Sequence, residues 1–278
     1  MASPSKPTAA GRVLAILDTF TDRHDSQTLS SIARRSGLTL PTTHRLVGEL
    51  TAWGALHRQP DGEYTIGLKV LELGSLAGHR LRLKQLAHPY LHGLHHATNT
   101  NIHLSVSVQQ DVLYLESMLA PGGAPVTSRF GGRWPMHATA TGRVLLAALP
   151  PDELDDLLRQ PLAAYSPHTD TDPNRLRQLL AEVRQRGVAV AYDQIALGVI
   201  ALAAPIVGPH GHPVASVGIT APKDRFTPHQ LIPPLVSTAQ RISRALNGPE
   251  EALPEDSLRT ASMLPVDPGP SLAGPTPA

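Results

Sequence analysis

Eight residues between Arg34 and Arg58 carry groups suited to a nucleic acid: Arg34, Arg35, Thr42, Thr43, His44, Arg45, Gly48 and Arg58. A guanidinium donates to guanine edges or pairs with phosphate, and an imidazole can hydrogen-bond either. Threonine hydroxyls and free amides in the first turn of a helix suit phosphate. A glycine on the same side lets a helix approach closely. From Ser30 to Arg58 four arginines stand against one acid, Glu49, a local net of +3. The whole chain of 278 residues is nearly neutral, with 24 Lys and Arg against 23 Asp and Glu. That balance excludes a general nucleic-acid coat protein and fits a local phosphate-facing patch.

Such groups need a helix to present them. Ile32 and Ala33 share the apolar side of a short helix, Gly37 breaks it, and Thr39 and Pro41 start the next. On a wheel from Thr42, Leu46, Leu50 and Trp53 fall inward with Val47 nearby, while Pro41, His44, Arg45 and Gly48 fall outward. The pattern predicts a helix-turn-helix whose second helix, Pro41 to Trp53, enters a major groove, with Arg34 and Arg35 on the helix that crosses the backbone. The competing reading is a helical hairpin with a solvated basic side. Val13, Leu14, Ile16, Leu17 and Phe20 predict a helix packed on this pair. Ala55–Arg58 and Tyr64–Ile66, joined around Asp61-Gly62, predict a hairpin wing, from which Arg58 can reach the DNA backbone or minor groove.

Downstream, Leu68 to Gly78 has a helical pattern suited to linking two domains, and Leu81 to Thr98 a second one. Residues 101–108 and 112–118 alternate with period two and predict a strand pair. Helices are expected at 139–149, 152–158, 173–186 and from Thr227 to about Leu246, and strands at 188–192, 199–207 and 214–220. This order gives an α+β second domain with an antiparallel sheet flanked by helices. Residues 247–278, rich in Pro, Gly, Ser and Ala, predict a disordered tail.

Other constellations point elsewhere. His88, His92, His95 and His96 share one helix, and the i, i+4 spacing of His88–His92 and His92–His96 can hold zinc. A metal-responsive role for this helix is the alternative to a bare His-rich surface. His103 and His137 would join it only if the fold brought them near. His137 close to Thr139 and Thr141 can be cast as a base with a nucleophile, the basis of a hydrolase alternative. Against catalysis, there is no Gly-rich phosphate loop, no GxSxG elbow, no HExxH and no cysteine, and no cofactor is implied. The lack of cysteine fits a reducing cytoplasm. No apolar run reaches the roughly 18 residues that a membrane span requires, and residues 1–11 lack the apolar core of a secretory signal.

Six segments in this order, RVLAILDTF, LSSIARRSGLTLPTTHRLVGEL, DGEYTIGLKVLELGSLA, RWPMHATATGRVLLAALP, GVIALAAPI and ASVGITAP, resemble the isocitrate-lyase-regulator (IclR) family of bacterial transcription regulators. The resemblance covers roughly Gly11 to Leu246. It implies a winged helix-turn-helix at 11–67, a linker helix at 68–80 that transmits the signal, and a GAF-like α/β effector-binding domain at 81–247, flanked by disordered ends at 1–10 and 248–278. It further implies a homodimer or homotetramer on double-stranded, palindromic operator DNA, an effector that is a small organic acid, and no enzyme activity. The family's pocket falls on Thr139, Ala140 and Thr141, on Val199 and Ala201, and on Gly218 and Thr220. Thr139 and Thr141 would stand at a helix start, where amides and the dipole favour a carboxylate. Where many members carry a cysteine this chain has Ala201, and where they carry an acid it has Ala191. Asp193, two residues along, is the expected compensating group. These departures argue against a glyoxylate- or pyruvate-like guest and toward a bulkier or aromatic acid.

Overall fold

The computed structural model describes residues 8–21, 23–125 and 130–248. The chain divides into two compact units, with the boundary between Gln85 and Leu86.

The first unit opens with α1 (Ala9–Leu17), where the Thr8 hydroxyl accepts from the Gly11 amide. Helix therefore replaces the disorder expected at residues 9 and 10; residues 1–7 lie outside the described residues, as do those of the expected tail from 249 onward. A short strand, β1 (Ser26–Gln27), precedes α2 (Leu29–Ser36). Gly37 ends α2 with φ 69°, and α3 spans Leu40–Trp53. Strands β2 (Leu56–Arg58) and β3 (Tyr64–Ile66) form the wing, and β1 adds to its edge in the antiparallel order β1-β3-β2. The core is Ile16, Ile32, Leu46, Val47, Leu50, Ala55 and Leu56. Leu46, Val47 and Leu50 recur at helical spacing, so α3 is held by its apolar side against α1 and α2. Trp53 departs from the expected inward set: it is 54% exposed at the last turn, where Gly54 takes φ 88° and redirects the chain. The expected linker resolves into α4 (Leu68–Ser75) and the start of α5 (Gly78–Thr98).

The second unit is built on one six-stranded antiparallel sheet, ordered β6-β5-β4-β9-β8-β7. Its strands are β4 (Asn101–Val108), β5 (Asp111–Met118), β6 (Arg133–Pro135), β7 (Ala189–Tyr192), β8 (Val199–Val207) and β9 (Pro213–Pro222). Between β6 and β7 lie α6 (Ala140–Leu146), α7 (Pro151–Leu158) and α8 (Pro173–Arg186). Helix α8 has Pro at its first position, an Asp172 carboxylate accepting from the Arg175 amide, and Gly187 at φ 67° beyond its end. Helix α9 (Pro228–Asn247) begins with a capping box between Thr227 and Gln230 and packs on β8 and β9.

Register decides which side chains can meet. His103 pairs with Gly218, Ala203 with Gly218, and Ala201 with Thr220. Directly opposed residues share a face, as do residues two apart on a strand. His103, Ala201, Ala203, Gly218 and Thr220 therefore stand on one face, and α6 lies against it. Two glycines set how close α6 comes. A Cβ on Gly142 would lie 2.3 Å from the Met136 backbone, and one on Gly218 would lie 2.5 Å from Thr141 Cγ2. Only hydrogen fits at either place.

Candidate functional site

The basic face of the first unit follows from α3. His44, Arg45 and Gly48 are exposed on its outer side, Arg34 and Arg35 are exposed on α2, and Arg58 is exposed on β2. Thr42 is half-buried, and the Thr39 hydroxyl donates to its Oγ1 at 2.9 Å. Arg45 Nη1 lies 2.5 Å from Glu49 Oε1 across one helical turn, with both side chains more than half exposed. That pair holds the guanidinium along the outer face and leaves it free to exchange carboxylate for phosphate or guanine. The Arg58 guanidinium lies 6.0 Å from the Tyr64 ring centroid. Thr43 does not belong to this surface. It is fully buried, and its hydroxyl donates back to the Thr39 carbonyl at 3.1 Å. Position 43 belongs to the inward series 43, 46, 47, 50, so its side chain packs rather than reads.

In the second unit a cavity lies between the first turn of α6 and the sheet face. Thr139, Ala140, Thr141, Val199, Ala201, Gly218 and Thr220, the positions on which the family's pocket falls by resemblance, all line it. His103, Tyr114, Trp134, Ala138, Ala191, Gln194 and Ile195 complete much of the wall. The space open to the centres of water molecules is about 40 Å³.

Its polar groups are few; His103, Tyr114, Thr139 and Thr141 are buried, and Gln194 and Thr220 half-buried. Thr139 caps α6, accepting from the Gly142 amide at 3.1 Å and donating to the Pro135 carbonyl at 2.9 Å. Ser216 Oγ donates to the Thr141 carbonyl at 3.0 Å and lies 2.8 Å from Ser105 Oγ, fastening α6 to the sheet. The rings of His103 and Tyr114 stack at 4.8 Å with 15° between planes. His103 Nε2 lies 3.1 Å from Thr220 Oγ1, and Nδ1 lies 3.2 Å from Ser117 Oγ. Burial holds the His103 imidazole down at about 3, so the ring is neutral near pH 7. Burial likewise pushes the Tyr114 phenol up to about 12, slightly offset by the Thr141 hydroxyl beside it. That neighbour falls short of hydrogen-bond geometry: Thr141 Oγ1 is buried with no partner among the described residues. An unpartnered buried hydroxyl is costly.

Asp193 does not face the cavity. β7 ends at Tyr192, and Asp193 takes φ 56°, which breaks the strand alternation expected from Ala191. Its carboxylate accepts from the Lys223 ammonium and from the Gly198 amide, at 2.6 Å, and the Lys223 contact first of all holds it below the usual carboxylate range. The group that occupies this edge instead is Gln194. Its side-chain oxygen accepts from Arg143 Nη2 at 2.6 Å and from the Asp170 amide at 2.9 Å. Arg143 is almost wholly buried, pairs with Asp170 at 2.8 Å and donates from Nε to the His137 carbonyl. Burial pushes this guanidinium down, opposed by its hydrogen bond to Asp170. The network braces the back of α6 and the 193–198 segment together.

The remaining histidines do not assemble. His137 Nε2 lies 2.9 Å from the Ala163 carbonyl oxygen, so it is turned away from Thr139 and Thr141, and the pairing behind the hydrolase alternative is not formed. On α5 the rings of His88 and His92 are 6.4 Å apart and those of His92 and His96 4.9 Å, and His88 Nδ1 lies 3.4 Å from Glu116. Among the described residues no three His, Cys, Asp or Glu side chains converge as metal ligands. No helix of the described residues is long and apolar enough to cross a membrane.

A winged helix-turn-helix followed by a domain with a cavity between a helix and its sheet has the architecture of a DNA-binding transcription regulator. Residues 9–60 match the IclR helix-turn-helix domain, and residues 76–244 match the bacterial transcriptional regulator IclR C-terminal domain. The chain belongs to the IclR family and is a DNA-binding transcriptional regulator. It is 32% identical over 245 residues to the Pca operon regulatory protein of Acinetobacter baylyi, covering 84% of this chain and 85% of that one. It is 30% identical over 220 residues to the transcriptional repressor IclR of Escherichia coli, covering 78% and 80%. Among solved structures, an IclR homolog from Microbacterium hydrocarbonoxydans complexed with 4-hydroxybenzoate matches with a TM-score of 0.80 and 31% identity, over 84% of this chain and 97% of that one. These relatives are transcription regulators, not enzymes.

Proposed function

We propose that this regulator acts in the cytoplasm as a homodimer or homotetramer on a palindromic operator, with α3 in the major groove, and that a small aromatic carboxylic acid in the α6 cavity controls its occupancy of DNA. The observation that carries the effector reading is the unpartnered Thr141 hydroxyl at the cavity wall. Around it, His103, Tyr114 and Trp134 offer ring surfaces, and Ala191 and Ala201 leave room where larger side chains would not. Thr220 offers a second hydroxyl. The solved relative that holds 4-hydroxybenzoate makes a hydroxybenzoate the natural first probe. Gln194 and Ile195, which line the cavity from the segment between Asp193 and Gly198, are the residues expected to shift on binding. His44, Arg45 and Gly48 are assigned to base edges and Arg34, Arg35, Thr42 and Arg58 to the backbone.

Calorimetric titration of the full chain with 4-hydroxybenzoate, glyoxylate and pyruvate tests the cavity. The aromatic acid should bind tightest, and Thr220→Phe should abolish binding while leaving DNA affinity unchanged. Tighter binding of glyoxylate, or normal binding by the Phe variant, rejects this reading.

A further inference from the structure

We infer that His103 takes up a proton from solvent when the acid binds, so that the carboxylate is neutralised inside the cavity. This rests on the acid effector proposed above. Among the described residues lining the cavity there is no lysine and no arginine. A bare carboxylate moved into such a site would be a buried, uncompensated charge, which proteins avoid by pairing or by protonation. His103 is the lining side chain with a basic nitrogen, and it is only 1% exposed.

Its surroundings suit a change of charge. From β5 it faces Tyr114 and Ser117, from β9 Thr220, and across the cavity α6 presents Thr141 and the 193–198 segment Gln194. None of these is charged at neutral pH. The nearest ionic groups by sequence are turned elsewhere: Glu116 lies by His88, and Arg143 pairs with Asp170. Both ring nitrogens lie beside hydroxyls, which accept as readily as they donate, so the neutral and cationic rings are equally well provided for. Burial alone holds His103 neutral, and no neighbouring charge contributes to the shift. The anion therefore does not find a cation waiting. The balance is one carboxylate, one solvent proton and neutral His103 going to one carboxylate–imidazolium pair, with the proton on Nε2, the nitrogen beside Thr220.

The test is calorimetry of 4-hydroxybenzoate binding to the full chain between pH 6 and 8, in phosphate and in Tris, whose ionisation enthalpies differ. We expect uptake of about one proton per acid, and a dissociation constant that rises about tenfold per pH unit. His103→Gln can hold both hydroxyls but cannot take the proton; it should bind more weakly, with no uptake and no pH slope. His103→Asn serves if circular dichroism shows that the Gln variant does not fold. Binding by the wild type with no proton uptake overturns the inference and leaves the acid effector standing. Unchanged uptake in the folded variant overturns the assignment to His103. Binding of neutral 4-hydroxybenzamide but of no acid overturns the effector reading and this inference with it.

Discussion

Replacing Thr141 with valine removes one hydroxyl and keeps the shape of the side chain. Thr141 is 3% exposed, and its hydroxyl is buried and unpartnered among the described residues. A buried hydroxyl left without a partner costs about 1–3 kcal/mol. Thr141→Val should therefore stabilise the second unit by up to that amount, which raises its melting temperature by about 2–12 °C for a domain of this size. The same change should harm function. If the hydroxyl donates to a bound carboxylate, the lost charge-assisted bond is worth about 1.5–3 kcal/mol, or roughly 10- to 150-fold in affinity. Scanning calorimetry of the full chain and titration with 4-hydroxybenzoate read the two effects separately. A lower melting temperature would show that Tyr114 satisfies the hydroxyl after all. Unchanged acid affinity would show that the hydroxyl does not point at the ligand. Either result refutes the reasoning.

Three further outcomes follow from particular contacts. Arg45→Ala should weaken operator binding by about 1–3 kcal/mol in a fluorescence-anisotropy titration and flatten its salt dependence; because the Arg45–Glu49 pair is exposed on both sides, stability should change by less than about 1 kcal/mol. Acid should destabilise the second unit through His103. Its folded value of about 3 lies below the ordinary 6.5, so the unfolded chain binds the extra proton between them, and stability present above pH 6.5 is lost as pH falls toward 3. The loss reaches about 5 kcal/mol at the acid end, and denaturant melts of His103→Gln should show a shallower pH profile. Gly142→Ala places a Cβ 2.3 Å from Met136 backbone atoms, which cannot swing aside, and should lower stability by about 1–3 kcal/mol or more in a thermal melt.

Much of this architecture is legible in the chain itself. Helix α8 reads residue for residue, because Asp172, Pro173 and Gly187 mark both ends. The pocket residues on α6, β8 and β9 come from family resemblance, and the register then brings them together. What was missed has physical causes. β1 and β6 are only two and three residues long, and their pairing is set by the neighbouring strand rather than by their own pattern. Thr43 has the chemistry of a surface hydroxyl, but its spacing from Leu46, Val47 and Leu50 places it inward. Trp53 fits the inward side of a wheel, but the core ends before the helix does. The alternation that would bring Asp193 to the cavity stops with the strand one residue earlier, and its positive φ turns the side chain to Lys223. Nothing in the local pattern assigns His103, Tyr114 or Trp134 to a cavity. His103 reaches it through cross-strand register, where it pairs with Gly218.

The central claim is that an acid in the α6 cavity controls operator binding by α3. Its most direct test is an anisotropy titration of the full chain on DNA from the intergenic region beside its own gene, with and without saturating 4-hydroxybenzoate. A coupling of about 1–3 kcal/mol, or 5- to 150-fold in dissociation constant, is expected. That shift should vanish in Thr220→Phe with affinity for DNA retained. Equal DNA affinity with and without an acid that demonstrably fills the cavity would contradict the account.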